Sequence, residues 1–589
     1  MNFHQLLYSL ELGKGTTWVR IVTFVVAFLG ATAWYDIGNY HGLGDPQAMD
    51  NAQVARQLSR GEGYTTKVLT PLRLAQDRDR AFLAQGGLSS ELASAVPIAI
   101  QNNPPTLPET LTPPLYPAVL AVVYKVTGVS FDAPPSGNPL ANKAELAAVI
   151  LNQFLLLGTG IVAFFLALAL FDLRVAQLAG FLVLFSPILW RFSLSGLSTP
   201  LTLFLVALAA LLLHRAFLAD ERGETGAVVG FATASAAVVA LAGLSDFGAL
   251  WLLPAWLCAI LFLRAKGVLF LLFPLVWAVI DLPWLIRNAH LTGDLLGGAT
   301  GLLVAGSGAF PGTLLQRSFH PFLANASPWS DSFHNVVHGL RWQIEQGFSS
   351  LGGALIVFFF FAGILHIFKR VHARRLRYVA LIALLFLVVG PAIANAEPRL
   401  LSPQNRVVLI LPLVAVFGAS FFHILLDRIE IGLPLLRKST IVLFFVLNSF
   451  PFILALPRPE GAPFHYPPYH PPMITLISRW YQPDEVIATD IPHAVAWYGD
   501  RTALWLPSTT KEFVEINDYV HPLSAILLTP ESMNSPALSD IIKGEWKGWA
   551  LLVLGLQRPA EIPLTTLIRT HPNENEYLLL TDRPRWPQK

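Results

Sequence analysis

Long apolar runs separated by short polar breaks fill the chain from Trp18 to Pro457. A run of about 17–25 such residues is the length that crosses a bilayer core as a helix. Candidate spans begin near Trp18, Glu145, Val175, Ser198, Gly226, Phe247, Gly267, Leu351, Leu376, Asn405 and Lys438. The segment Leu115–Val126 is apolar but shorter. After Pro457 the pattern changes to short apolar runs (Glu485–Ala488, Ala503–Leu506, Ala525–Leu528, Trp549–Leu554, Tyr577–Leu580) alternating with helix-like stretches, the signature of a small α/β domain. The expected architecture is a polytopic α-helical membrane protein of about eleven transmembrane helices with a small C-terminal soluble α/β domain.

Composition agrees. Of 589 residues, 54% are hydrophobic and only 13% charged, about half the charge of a soluble domain. The net charge of +2 carries no nucleic-acid signal. Cys258 is the single cysteine, which rules out an internal disulfide and cysteine-based metal sites. The first apolar segment, about Trp18 to Trp34, lacks a small-residue cleavage site and reads as a retained span.

Basic residues set the expected orientation. If Leu115–Val126 does not span, cations concentrate in the loops on one side. These are Arg174; Arg215 and Arg222; Arg264 and Lys266; Lys369, Arg370, Arg374, Arg375 and Arg377; and Arg428, Arg437 and Lys438. By the positive-inside rule that side is cytoplasmic. The N-terminus is then cytoplasmic and Leu115–Val126 becomes a juxtamembrane helix (115–126), with Tyr116, Tyr124 and Lys125 suited to an interface. The expected division is a transmembrane region over 1–456, with external loops at about 36–144 and 287–350, and an extracytoplasmic domain over 457–589. A proline-rich connector, Leu456 to Pro472, joins them; its His465 and His470 read as parts of a stiff linker.

Ionisable residues within the spans are few. Asp172, Asp246 and Asp281 fall at predicted span ends, where interfacial placement explains them. The first loop is richer. Asp45 and Asp50 sit just before and just inside a helix-like stretch, Ala48–Leu58, where carboxylates also serve as caps; both roles stay open. Asp77 and Asp79, interleaved with Arg78 and Arg80, read as a solvated charge run.

Several motifs in order resemble a known family. Asp45-Pro-Gln-Ala-Met-Asp50 leads into Ala52-x-x-Ala55-x-x-Leu58 and Gly61-x-Gly63-Tyr64, and the loop later reaches Thr112-Pro113-Pro114-Leu115-Tyr116-Pro117. Pro283-Trp284-Leu285-Ile286-Arg287-Asn288 closes the seventh predicted span, and Asn405-Arg406 through Leu411-Pro412 opens a late one. Together these resemble the GT-C glycosyltransferases, particularly the protein O-mannosyltransferase and aminoarabinose transferase branch, over about Trp18 to Leu426. The chain departs from that pattern at Pro46, Thr112 and Thr199.

The resemblance implies a polyprenyl-phosphate-linked sugar donor, a lipid, glycan or protein acceptor, and transfer with inversion on the extracytoplasmic face of the cell membrane. It implies Asp45 as general base, with Asp50 sharing the role or positioning acceptor or metal. Arg287 is the first choice for the lipid phosphate, since a guanidinium fork holds phosphate well; Arg406 and Lys67 are lesser candidates. No cofactor is required by the motifs, and a divalent metal is compatible with them. Two other readings fit a GT-C-like shell: a transporter or flippase for lipid-linked sugars, and a non-catalytic membrane subunit. Trp497-Tyr498-Gly499-Asp500-Arg501 offers aromatic faces that ordinary packing explains as well, so no site is assigned there.

Overall fold

The structure is a computed structural model that describes residues 14–84, 107–131, 139–297, 313–320, 332–345, 350–393, 405–429, 433–456, 469–533, 547–554, 561–570 and 576–586. Most of the proline-rich connector, with His465, lies outside the described residues. The chain is a multi-pass helical bundle with a mixed sheet at one end. Among the described residues, six helices are long and apolar enough to cross a membrane, or seven if the pair Leu173–Leu184 and Pro187–Ser193, bent by 49°, is one span. The bend falls at Ser186-Pro187, where proline cannot donate to the preceding turn. The other predicted spans fall on Lys14–Asn39 and Val371–Ile393, helices of 26 and 23 residues, and on the shorter apolar stretches Phe247–Ile260 and Ala354–Leu365.

Inside the bundle, small residues let the helices approach closely and buried hydroxyls tie them together, as expected where water offers no partner. Thr202 donates to Ser245 at 2.9 Å, Ser235 to the Ala209 carbonyl at 2.7 Å, and the Trp256 indole to Ser235 at 2.9 Å. The predicted juxtamembrane segment is a helix, Leu115–Thr127. It buries Tyr116, Leu120 and Tyr124 and leaves Val122 and Val126 exposed.

The sheet draws on two distant parts of the chain. Strands β1 (Thr65–Thr66), β2 (Val68–Leu69) and β3 (Leu107–Pro108) come from the first loop. Strands β4 (Val486–Thr489), β5 (Thr502–Trp505), β6 (Leu523–Leu528), β7 (Thr566–Thr570) and β8 (Tyr577–Thr581) come from the C-terminal region. β1 pairs with β3, whereas β2 joins the large sheet, whose order is β2-β5-β4-β6-β8-β7. β2, β5, β4 and β6 run parallel; β8 and β7 are antiparallel. The predicted strand-like run at Trp549–Leu554 forms a short helix, Ala550–Val553. β7 carries no long apolar run because it lies at the sheet edge and alternates half-buried with exposed residues. The division expected at residue 457 is thus crossed by one strand of the first loop.

Side chains lock the two parts together. Arg56, 1% exposed, donates to the carbonyls of Trp497 (2.9 Å) and Ala496 (2.7 Å), lies over the Trp497 ring at 5.0 Å, and pairs with Asp500 at 3.1 Å. The Trp497 indole donates to buried Glu145 at 2.8 Å, which also accepts from Tyr40 at 2.8 Å. Burial works to raise the Asp500 carboxyl, but Arg56, Lys67 and Arg60 outweigh it and hold the group down at about 2. This lock is therefore complete above the ordinary carboxyl value of 3.8 and is lost only as pH falls toward 2. Replacing Arg56 with Met is expected to cost about 3 kcal/mol. The loss would be read at neutral pH as a lower thermal midpoint in detergent and faster proteolysis of the C-terminal segment.

Candidate functional site

The helix Pro46–Arg60 starts where Asp45 leaves helical geometry (φ −107°, ψ 133°) and its Oδ1 accepts from the Gln47 amide at 2.8 Å. Pro46, the departure from the family pattern, occupies the first helical position, where its missing N–H costs nothing. Capping is thus one role of Asp45, and it leaves the carboxylate at the helix's electropositive end. Asp45 is half-buried by exposure but crowded by protein. That crowding raises its carboxyl most strongly, the Gln47 and Ala48 amides and His493 oppose the shift, and Asp50 adds to it; the result is about 6.

The C-terminal region supplies a third group. β4 ends at Thr489, and the helix Pro492–Gly499 follows at the carboxyl end of the parallel strands, the position where open α/β sheets present functional groups. Its second residue is His493, whose Nδ1 lies 2.7 Å from Asp50 Oδ1. Burial opposes charge on the imidazole, but Asp50, by charge and hydrogen bond, then Asp45 and Glu109, outweigh it and raise its pKa above the usual histidine value. The Trp505 ring packs edge-on against it at 5.2 Å.

A second layer is built from the end of the first loop. Glu109 is 7% exposed and accepts from the amides of Leu111 (2.5 Å) and Thr112 (2.9 Å). Burial and the charge of Asp50 push its carboxyl up. Arg287 donates from Nη1 to the Glu109 carbonyl (2.8 Å) and to Asn288 Oδ1 (3.2 Å), and from Nη2 to the Tyr64 carbonyl (3.3 Å). Its guanidinium lies over Trp284 at 4.5 Å and Tyr64 at 5.4 Å. Tyr64 in turn donates to the carbonyls of Thr112 (2.9 Å) and Pro113 (3.1 Å). Arg287 therefore clamps two distant parts of the loop, at Tyr64 and Glu109, and described groups take three of its five N–H donors.

Asp45, Asp50 and His493 come together, and Arg287 reaches them through Glu109. Lys67 and Arg406 do not join this group. Lys67 ends on Asp500 at 2.6 Å. Arg406 pairs with Asp246 at 3.1 Å and covers Gly248, where a Cβ would collide with the guanidinium. In both cases a carboxylate already answers the charge, which spacing along the chain could not reveal. Arg73 and Arg78 likewise pair with Asp77 and Asp79, each at 3.1 Å, and Arg78 also lies over Phe319 at 4.5 Å; the expected solvated run is a set of intramolecular pairs. Asp172 caps the helix Leu173–Leu184. Asp281, expected at an interface, is buried within the helix Lys266–Thr292, and its Oδ2 has no partner among the described residues. Trp497 is 4% exposed and serves packing.

His493 escaped sequence reasoning because it sits in an ordinary apolar helix of the α/β region. A faint signal was its place directly after an apolar strand run, at Asp490-Ile491-Pro492-His493. Among the described residues no group of three or more His, Cys, Asp or Glu is placed to hold a metal ion.

The raised His493 value makes the Asp50–His493 pair sensitive to pH. The pair stabilises fully below the unperturbed histidine pKa of about 6.5 and fades as pH rises through the raised folded value. Wild type is therefore expected to exceed Asp50→Asn in thermal stability most at about pH 6, with the gap narrowing toward about pH 9 in parallel melting curves.

No family model matches the chain, and no curated protein matches it. Solved structures do. ArnT from Cupriavidus metallidurans bound to undecaprenyl phosphate aligns over 97% of this chain and 100% of its own, with TM-score 0.53 and 13% identity. The archaeal oligosaccharyltransferase AglB from Archaeoglobus fulgidus, in complex with an inhibitory peptide and a dolichol-phosphate, aligns over 91% of this chain and 72% of its own, with TM-score 0.53 and 12% identity. A further structure of the Archaeoglobus fulgidus enzyme, in complex with zinc and sulfate, aligns over 89% of this chain and 70% of its own at TM-score 0.53 and 12% identity. Near-complete coverage at such low identity is agreement of architecture: the chain has the multi-pass GT-C fold that its loop motifs resemble.

Proposed function

We propose that this chain is a membrane glycosyltransferase that moves a sugar from a polyprenyl-phosphate donor to an acceptor at the end of the bundle carrying the C-terminal domain. The observation that carries the reading is the meeting of Asp45 and Asp50 with His493 at that end, 2.7 Å separating the Asp50 and His493 atoms. The fold supports the donor class, because its solved examples were obtained with undecaprenyl phosphate and with a dolichol-phosphate. In this reading the protein resides in the cell (inner) membrane, and by the distribution of basic residues this end faces away from the cytoplasm with the N-terminus inside.

In this reading the acceptor hydroxyl or amine attacks the anomeric carbon and Asp45 takes its proton. The bond from that carbon to the phosphate oxygen breaks on the opposite face, the lipid phosphate leaves with the electron pair, and the configuration inverts. Asp50 favours the charged form of His493, and positive charge there lowers the cost of a second carboxylate nearby. Arg287 keeps the loop closed and turns its remaining N–H donors to the leaving phosphate. Residues 457–589, with the loop strand β2, present the acceptor. Asp50 and His493 are engaged with each other at 2.7 Å.

Replacing Asp45 with Asn should lower kcat/KM for sugar transfer in membranes by about a hundredfold or more, while Asp50→Asn and His493→Ala should each weaken it less. The wild-type rate should fall on the acid side near the Asp45 value of about 6, as the base becomes protonated. Full activity in both Asp45→Asn and Asp50→Asn would sink the proposal in favour of a transporter or a non-catalytic subunit.

A further inference from the structure

Helices Leu173–Leu184 and Pro434–Ala455, with His423, line a groove of about 750 Å³, within the usual range for a ligand site, about 300–1,000 Å³. It runs from Leu456, at the C-terminal-domain end, to Arg174, Arg437 and Lys438 at the other. Its walls are phenyl rings. Phe445 stands 6.2 Å from Phe181 and 5.8 Å from Phe185, measured between ring centres.

The basic end is polar in a way that the fold itself does not use. Arg437 is paired with Asp427, but Arg174 and Lys438 are exposed and form no ion pair among the described residues. The nearby carboxylate of Asp172 is occupied in capping its own helix through the Val175 amide at 3.0 Å. His423, from the helix Leu411–Arg428, joins these cations and the phenyl walls in lining the groove. It is 6% exposed, and neither ring nitrogen has a hydrogen-bond partner among the described residues. A buried imidazole carries one donor and one acceptor when neutral, and leaving both unmet is costly unless a ligand or water meets them.

We propose that this groove binds an anionic glycerophospholipid. Its phosphate lies between Arg174 and Lys438, an oxygen of its phosphate or ester accepts the His423 N–H, and an acyl chain lies along the wall formed by Phe181, Phe185 and Phe445. A free phosphate ion has no use for the phenyl walls, and an uncharged lipid has none for two cations without partners. The phosphate end is also the end of the bundle away from Asp45 and His493. The occupant is therefore not the sugar donor in its reacting position, and the proposal stands whether or not the chain is a transferase.

The full-length protein in detergent would be titrated with phosphatidylglycerol or with phosphatidylcholine of the same acyl chains. Thermal unfolding and native mass spectrometry would be followed together. Phosphatidylglycerol should raise the wild-type midpoint by several degrees more than phosphatidylcholine, through binding to the folded state, and should remain bound as a one-to-one adduct. That preference should vanish in Arg174→Gln/Lys438→Gln and shrink in His423→Phe and in the groove-filling Val442→Trp. Exposed Lys438→Gln alone, which should fold normally, should lose part of it. Equal effects of the two lipids would overturn the proposal. So would a preference that survives Val442→Trp and His423→Phe, which would mark general attraction of basic helix ends for anionic lipid, or exclusive retention of a polyprenyl phosphate.

Discussion

The arrangement depends on a buried guanidinium. Arg56 rises from the first-loop helix into the C-terminal helix Pro492–Gly499, where two carbonyls, one indole and one carboxylate receive it. A charge taken out of water is tolerable only when such partners are in place, so the loop helix and the C-terminal helix can meet in very few ways. Glu145 adds a second constraint from the bundle by holding Tyr40 and Trp497 at once. With those contacts made, the axial position and rotation of the helix Pro46–Arg60 are set, and with them the direction of Asp50.

The chemistry of the site follows from that docking. Asp50 and His493 are 443 residues apart in sequence yet share a hydrogen bond, and β2 lends its edge to the C-terminal sheet through Val68 and Leu69. The same docking raises the pKa of His493 and crowds Asp45, so a carboxyl that can accept a proton near neutrality arises from packing rather than from residue type. Arg287 contributes by holding Glu109 and Tyr64 to the end of a long helix. This ties the loop's far side to the bundle.

The two ends of the bundle thus differ in kind. One end carries a cluster of carboxylates, a histidine and a loop clamp, closed by a soluble sheet. The other carries cations beside an apolar groove. Close helix packing through small residues and buried hydroxyls connects them, giving a rigid frame of membrane-spanning length.

Much of this frame was readable along the chain. The lengths of the apolar runs decide where helices form, because a backbone in hydrocarbon must satisfy its own hydrogen bonds. The Asp45-Pro46 start and the Pro113-Pro114 start mark the two loop helices by local capping and backbone rules. Asp45 stood out for the same reason, since its place as the cap of a helix is set locally. The pairing of Lys67 and Arg406 was not legible, because their carboxylate partners, Asp500 and Asp246, lie far away in sequence. His493 and Glu145 were invisible as site or docking residues because their side-chain partners, Asp50, Tyr40 and Trp497, come from other segments. The sequence by itself determined the helices, the loop caps and the α/β character of the tail, all of which rest on near neighbours. Tertiary structure alone decided which charges remain available and which histidine meets Asp50, because those outcomes depend on burial and long-range pairing.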